Sequence, residues 1–183
     1  MHALTSVLEP ILGHGLTFDF YVFNVRAGGS GWAMHRERAG ADAKASFVHD
    51  AKSPHHGLPA YNTVWLSLTE ASPRSSCMYA LPASVDPEYS SAPDDPPASR
   101  SDDADILRLV ADAHTHVRAL PVPVGSCLVW SHRLIHWGSA HAGESVDRKT
   151  LAFALADPAF EPPLLRERTS AGGASGKLLP EPR

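Results

Sequence analysis

Only 4 lysines and 2 cysteines occur in this chain, and it holds neither a long apolar run nor a basic stripe. Cys77 and Cys127 cannot staple a framework, and each sits in an apolar stretch. They read as reduced thiols, which fits a cytoplasmic protein. The 12 arginines and 4 lysines are scattered among 20 acids for a net charge of −4, which argues against a nucleic-acid or anionic-membrane binder. No apolar run approaches the roughly 20 residues that span a bilayer. The opening MHALTSVLEPILGHG has neither a basic n-region nor a small-residue cleavage site, so a secretory leader is not expected. What is present suffices for a core: 43% apolar residues over a length of 183, the size of one compact domain. Eleven histidines against four lysines make metal chemistry the first thing to look for.

Along the chain, Thr17 to Val25 (TFDFYVFNV) is aromatic and β-branched and reads as a strand buried on both faces, ended by the glycine-rich turn at Gly28 to Gly31. Trp32 to Arg36 is a candidate second strand, followed by a long polar loop. Tyr61 to Glu70 alternates with period two, placing Val64, Leu66 and Leu68 on one face and Tyr61, Thr63, Trp65 and Ser67 on the other. Cys77 to Leu81 makes another strand, closed by Pro82. Val85 to Asp103 is rich in Pro, Ser and Asp and is expected to be a mobile excursion. A helix from Asp103 or Asp105 to about Ala119 follows, then three strand-like pieces in SCLVWS, LIHW and KTLAFALA. The expected organisation is one domain over 1–168, mainly β with one or two helices, and a disordered tail over 169–183. Six or seven short strands suggest a β-sandwich or a cupin-type jelly roll, between which pattern alone does not choose.

Three features carry candidate chemistry. His35 and Glu37 stand two apart on an extended segment, so an imidazole and a carboxylate project together at about 7 Å spacing and can grip one ion. His136 is a polar group in the apolar stretch Leu134-Ile135-His136-Trp137, where a buried imidazole needs a partner worth roughly 1–3 kcal/mol. Two histidines and one carboxylate with open coordination positions make the facial triad of non-haem Fe(II) oxygenases. Arg148 opens the last strand and shares a face with Thr150. A planar guanidinium at the mouth of an apolar barrel can hold a dicarboxylate bidentately, with the threonine hydroxyl as an extra donor. Ser139 is a weaker candidate for a cosubstrate contact.

The runs WAMHRERAG, YNTVWLSLTEASPRSSCMYALPAS and VPVGSCLVWSHRLIHWGSAHAGESVDRKTLAFALAD resemble the core of the phytanoyl-CoA dioxygenase family of Fe(II)- and 2-oxoglutarate-dependent oxygenases, in order and spacing, over residues 16 to 160. The resemblance implies a double-stranded β-helix in which His35, Glu37 and His136 ligate iron. It also implies that Arg148, with Thr150, binds the far carboxylate of 2-oxoglutarate, and that the cofactors are Fe(II), 2-oxoglutarate and molecular oxygen. The activity implied is hydroxylation of a small-molecule substrate, with succinate and carbon dioxide as co-products. The departures are specific. The acid is Glu37 where Asp is commoner, SPRSSC lacks the family's Asn-Gly turn, and LPASVD lacks Gly-Ser-His. The chain also begins almost directly at its first core strand, as expected of a short or N-terminally truncated member.

Other groupings compete. His132, His136 and His141 can be read as a zinc cluster, but Trp137 and Gly138 deny them a regular helix and no cysteine completes a tetrahedral set. His55 and His56 read as a solvated loop, and His114 and His116 as surface residues of the helix. Tyr61 and Trp65 share a face that either lines a substrate pocket or packs the core. The alternative to an enzyme is a non-catalytic jelly-roll binding module, a decayed relative. Convergence of the triad and Arg148 on one cavity favours the enzyme, and a sealed or collapsed barrel favours the module.

Overall fold

The computed structural model describes residues 2–12, 15–37, 47–48, 50–89, 103–143 and 146–160. In chain order these form helix α1 (His2–Leu12), β1 (Gly15–Val25), β2 (Tyr61–Ser67), β3 (Met78–Ala80), helix α2 (Asp103–Asp112), β4 (Arg118–Leu120), β5 (Cys127–Ser131), β6 (His136–Gly138) and β7 (Arg148–Ala156). The strands make two antiparallel sheets, ordered β1-β7-β2-β5 and β4-β3-β6. Trp65, Trp130 and Ala152 of the larger sheet pack against Met78 of the smaller and Cys77 just before it, so the two face each other as a double-stranded β-helix.

Strand β7 shows why the sequence folds this way. Its odd positions Leu151, Phe153 and Leu155 pack outward, with Val64 of β2, against Leu4, Leu8 and Leu12 of α1. Its even positions Arg148, Thr150, Ala152, Ala154 and Ala156 are buried on the other face. Large residues close the outer layer, at about 1.5–3 kcal/mol for each side chain fully buried. Small ones leave space between the sheets. The smaller sheet is covered in the same manner by α2, whose Ile106 and Val110 meet Leu81 and Ile135.

Several expectations are corrected. Strand β1 is not buried on both faces: it is the edge of its sheet, with Phe18 and Tyr21 each 53% and Val22 78% exposed. The short stretch before the first core strand is itself a helix, α1, which lays a leucine row on the sheet despite Pro10. Trp32 to Arg36 is no regular strand. It meets β6 through paired bonds at Trp32–Gly138 and His35–His136, leaving Ala33 and Met34 opposite Trp137 alone, a bulge. Helix α2 stops at Asp112, and a 3-10 turn at His114–His116 leads into β4. There pairing with β3 outweighs the weak helix preference of Thr115 and Val117. Strand β2 ends at Ser67 and not at Glu70. Of the expected excursion, residues 85–89 are described, with Asp86 buried, while residues 90–102 lie outside the described set, as does the tail expected at 169–183.

Candidate metal centre and cosubstrate pocket

The bridge between His35 and His136 makes neighbours of two residues a hundred positions apart. Extension of the same pairing through the Glu37 N–H to the His132 carbonyl carries Glu37 round to the same face. One ligand atom from each of His35, Glu37 and His136 lies within 4.8 Å of the other two, the sole such grouping among the described residues. Glu37 Oε1 stands 3.3 Å from His136 Nε2, and Oε2 4.0 Å from His35 Nε2. Each imidazole has its Nδ1 against a backbone carbonyl, that of Ala33 at 2.7 Å for His35 and that of Leu134 at 2.9 Å for His136. A carbonyl accepts only, so Nδ1 carries the proton and the Nε2 lone pairs are left for an ion. This is how metal-binding histidines are oriented. Glu37 takes a further bond from the Thr63 hydroxyl at 3.1 Å. Burial pushes the Glu37 carboxyl up, but His136, His35 and the Thr63 hydroxyl together hold it below the ordinary carboxylate value whenever the two imidazoles are protonated, the state that an ion at their Nε2 atoms replaces.

Arg36, between the two ligands in sequence, points the other way. Its guanidinium binds Asp86 bidentately at 2.6 and 3.0 Å and donates to the Arg133 carbonyl at 2.5 Å, which clamps the His35–Glu37 segment from behind. No local sequence pattern announces this clamp, which joins Arg36 to Asp86 and to the Arg133 carbonyl across the chain.

Arg148 is 2% exposed and sits where a ligand would need it. It donates to the Thr150 hydroxyl at 2.8 Å and to Ser76 Oγ at 3.4 Å, and its guanidinium carbon lies 5.5 Å from the Trp65 ring centre. Its Nε has no partner, and no carboxylate pairs with it among the described residues. Burial lowers its pKa to about 10, so it remains a cation at neutral pH. Gly138 makes the room: a Cβ there would stand 3.3 Å from the guanidinium. Ser139 turns elsewhere, its hydroxyl meeting the Cys77 carbonyl at 3.4 Å, and the serine near Arg148 is Ser76, held at a φ of 62°.

A cavity of about 220 Å³ is lined by His35, Glu37, His136 and Arg148 together, with Thr63, Tyr61 and Trp65 on β2. Tyr61 and Trp65 do both: each lines the cavity, while Trp65 also packs with Trp130, Cys77 and Met78 and Tyr61 with Ala154 and Ala156. The zinc reading fails: His132 Nδ1 meets the Tyr61 carbonyl and His141 Nε2 the Val146 carbonyl, and neither joins the His136 group. His56, His114 and His116 are exposed, and His55 does not line the cavity.

This arrangement sets two imidazoles and a carboxylate that could hold a metal ion beside a buried guanidinium, between the two facing sheets of a jelly roll. The Phytanoyl-CoA dioxygenase (PhyH) family matches residues 2–150, and the chain belongs to that family. No curated protein matches it. Among solved structures it is similar to AviO1 from Streptomyces viridochromogenes, at 21% identity and a TM-score of 0.59 over 87% of this chain and 59% of that one. It is also similar to HygX from Streptomyces hygroscopicus with nickel, 2-oxoglutarate and hygromycin B bound (15%, TM-score 0.57, 84% of this chain and 61% of that). A third is the non-haem α-ketoglutarate-dependent carbocyclase SnoK (14%, TM-score 0.56, 84% and 55%). The chain thus spans less than two thirds of the length of each of these relatives. No helix among the described residues is long and apolar enough to cross a membrane.

Proposed function

We propose that this chain is an Fe(II)- and 2-oxoglutarate-dependent dioxygenase that hydroxylates a small molecule, with His35, Glu37 and His136 as the iron ligands and Arg148 as the cosubstrate anchor. One observation carries the reading: all four line a single cavity that is neither sealed nor collapsed. The donor set fits Fe(II), with two neutral nitrogens and one carboxylate leaving positions open. The group's contribution, when bound, is to couple decarboxylation of 2-oxoglutarate by O₂ to hydroxylation of a C–H bond, giving succinate and carbon dioxide.

The protein's own part is to place and to screen. The Ala33 and Leu134 carbonyls fix both imidazoles in one tautomer, and Thr63 keeps Glu37 turned toward them. Arg148 offers a charge-assisted fork to the remote carboxylate of 2-oxoglutarate, with Thr150 holding the fork in its plane. Trp65 and Trp130 wall the space and exclude water. The test is succinate formation from 2-oxoglutarate in air with Fe(II) and ascorbate. Slow uncoupled turnover is expected from the parent chain and none from His136→Ala. Equal, background rates in both would refute the reading.

A further inference from the structure

We infer that the substrate presents an aryl ring to the metal centre, received by a run of aromatic side chains in which Trp32 is the recognition residue. The inference rests on the oxygenase reading and deepens it by naming the class of group that enters. Strand β1 places Tyr21 and Phe23 on its cavity side, and the segment after it brings Trp32 beside them. The ring centres of Tyr21, Phe23, Trp32 and His35 follow one another at 6.0, 5.5 and 6.4 Å. An unbroken aromatic path thus leads from the surface to a proposed iron ligand. Its outer end is open, with Tyr21 53% and Trp32 56% exposed. An indole left half in water at the mouth of a cavity is apolar surface that the fold itself does not cover. Nor is it loosely held. The Trp32 N–H donates to the Gly138 carbonyl and the Gly138 N–H to the Trp32 carbonyl, and Gly31 lies so close to β6 that a Cβ there would collide with the Gly138 carbonyl. A ring fixed in advance loses little freedom when a ligand stacks on it.

The walls favour an aryl ring over a polar one. Beside the aromatic path, β7 contributes Ala152 and Ala154, whose small side chains leave a slot and do not fill it. The polar groups on that side are already engaged: the Tyr61 hydroxyl donates to Asp19 Oδ2 at 2.5 Å and the Thr63 hydroxyl to Glu37 at 3.1 Å. A sugar would trade the water on its hydroxyls for the rings of Phe23, Trp32 and Trp130, a desolvation cost that an aryl group does not carry. Size points the same way. The cavity holds about 220 Å³, whereas pockets that enclose a whole drug-sized ligand run to roughly 300–1,000 Å³. With 2-oxoglutarate at the Arg148 end, the remaining space admits one ring-sized group, and the rest of the substrate stays outside against Trp32.

Benzyl alcohol, cyclohexylmethanol and methyl glucoside provide the test: an aryl ring, a saturated ring of similar size and a sugar ring. Each is titrated anaerobically into the chain with Fe(II) and 2-oxoglutarate while tryptophan fluorescence is read. The expected result is a saturable change with benzyl alcohol preferred about three- to tenfold over cyclohexylmethanol, and none with methyl glucoside. Trp32→Ala is expected to weaken benzyl alcohol about tenfold and to bring the preference to within about twofold, and Trp32→Phe to keep part of it. Circular dichroism reports whether the variants fold, and the parent's ranking of the three probes stands without them. Cyclohexylmethanol or methyl glucoside bound as tightly as benzyl alcohol, no saturable binding of any probe, or an unchanged preference in folded Trp32→Ala would overturn the inference. Failure of the oxygenase reading is seen separately, as absence of the iron–2-oxoglutarate absorption band, and leaves the fluorescence comparison readable.

Discussion

Two buried arginines stand near the proposed iron ligands, Arg36 between two of them in sequence and Arg148 across the cavity, and their surroundings differ in one respect. Arg36 is paired in full, with both oxygens of Asp86, a contact to Glu88 at 3.4 Å and the Arg133 carbonyl. Arg148 has hydroxyls, a tryptophan face and no carboxylate among the described residues. A buried charge supplied with its counter-ion by the fold is a structural clamp. One left without it stands ready for an anion that arrives from outside. The two regions should therefore answer substitution with opposite signs.

The largest effect is expected at the clamp. Asp86→Ala leaves Arg36 buried without its bidentate partner, and thermal or urea denaturation should show a loss of about 3–5 kcal/mol. Next comes the metal centre. His35→Ala and His136→Ala each remove a ligand, and Fe(II) titration should show affinity falling by more than about a hundredfold, beyond what outer contacts cost. At the other arginine, Arg148→Ala should weaken 2-oxoglutarate about ten- to a hundredfold, or roughly 1.5–3 kcal/mol, and leave Fe(II) binding intact. Arg148→Lys should recover only part, since an ammonium keeps the charge but not the fork. Thr63→Val, which strips one hydrogen bond from Glu37, should cost about tenfold in Fe(II) affinity by the same titration. The smallest effect is the most diagnostic: Arg148→Met should leave the cosubstrate-free chain unchanged or about 1 kcal/mol more stable. A destabilisation there comparable to that of Asp86→Ala would erase the distinction between the two arginines.

The parts of the site legible in the sequence are those written locally. His35 and Glu37 are two apart, Arg148 and Thr150 are two apart, and strand periodicity alone puts each pair on one face. The clamp, the Ser76 contact and the Asp19–Tyr61 pair join residues 50, 72 and 42 positions apart, so no local pattern announces them. The exposure of strand β1 is hidden from the sequence for a related reason. Aromatic and β-branched residues declare a strand, but its place at the edge of a sheet depends on topology. Helix α1 is written in Leu4, Leu8 and Leu12, which repeat every four residues, but Pro10 within the segment breaks the local helix signal. The end of α2 shows tertiary pairing overriding an apolar stripe that continued to Val117.

The central claim, that iron and 2-oxoglutarate meet in one cavity between the triad and Arg148, is tested most directly by anaerobic absorption spectroscopy of the purified chain. Addition of Fe(II) and then 2-oxoglutarate should produce the visible metal-to-ligand charge-transfer band, saturating at one equivalent of iron. In Arg148→Ala the same band should require about ten- to a hundredfold more 2-oxoglutarate. A parent chain that binds Fe(II) yet shows no band at any 2-oxoglutarate concentration, or an Arg148→Ala curve that overlays the parent's, would contradict it.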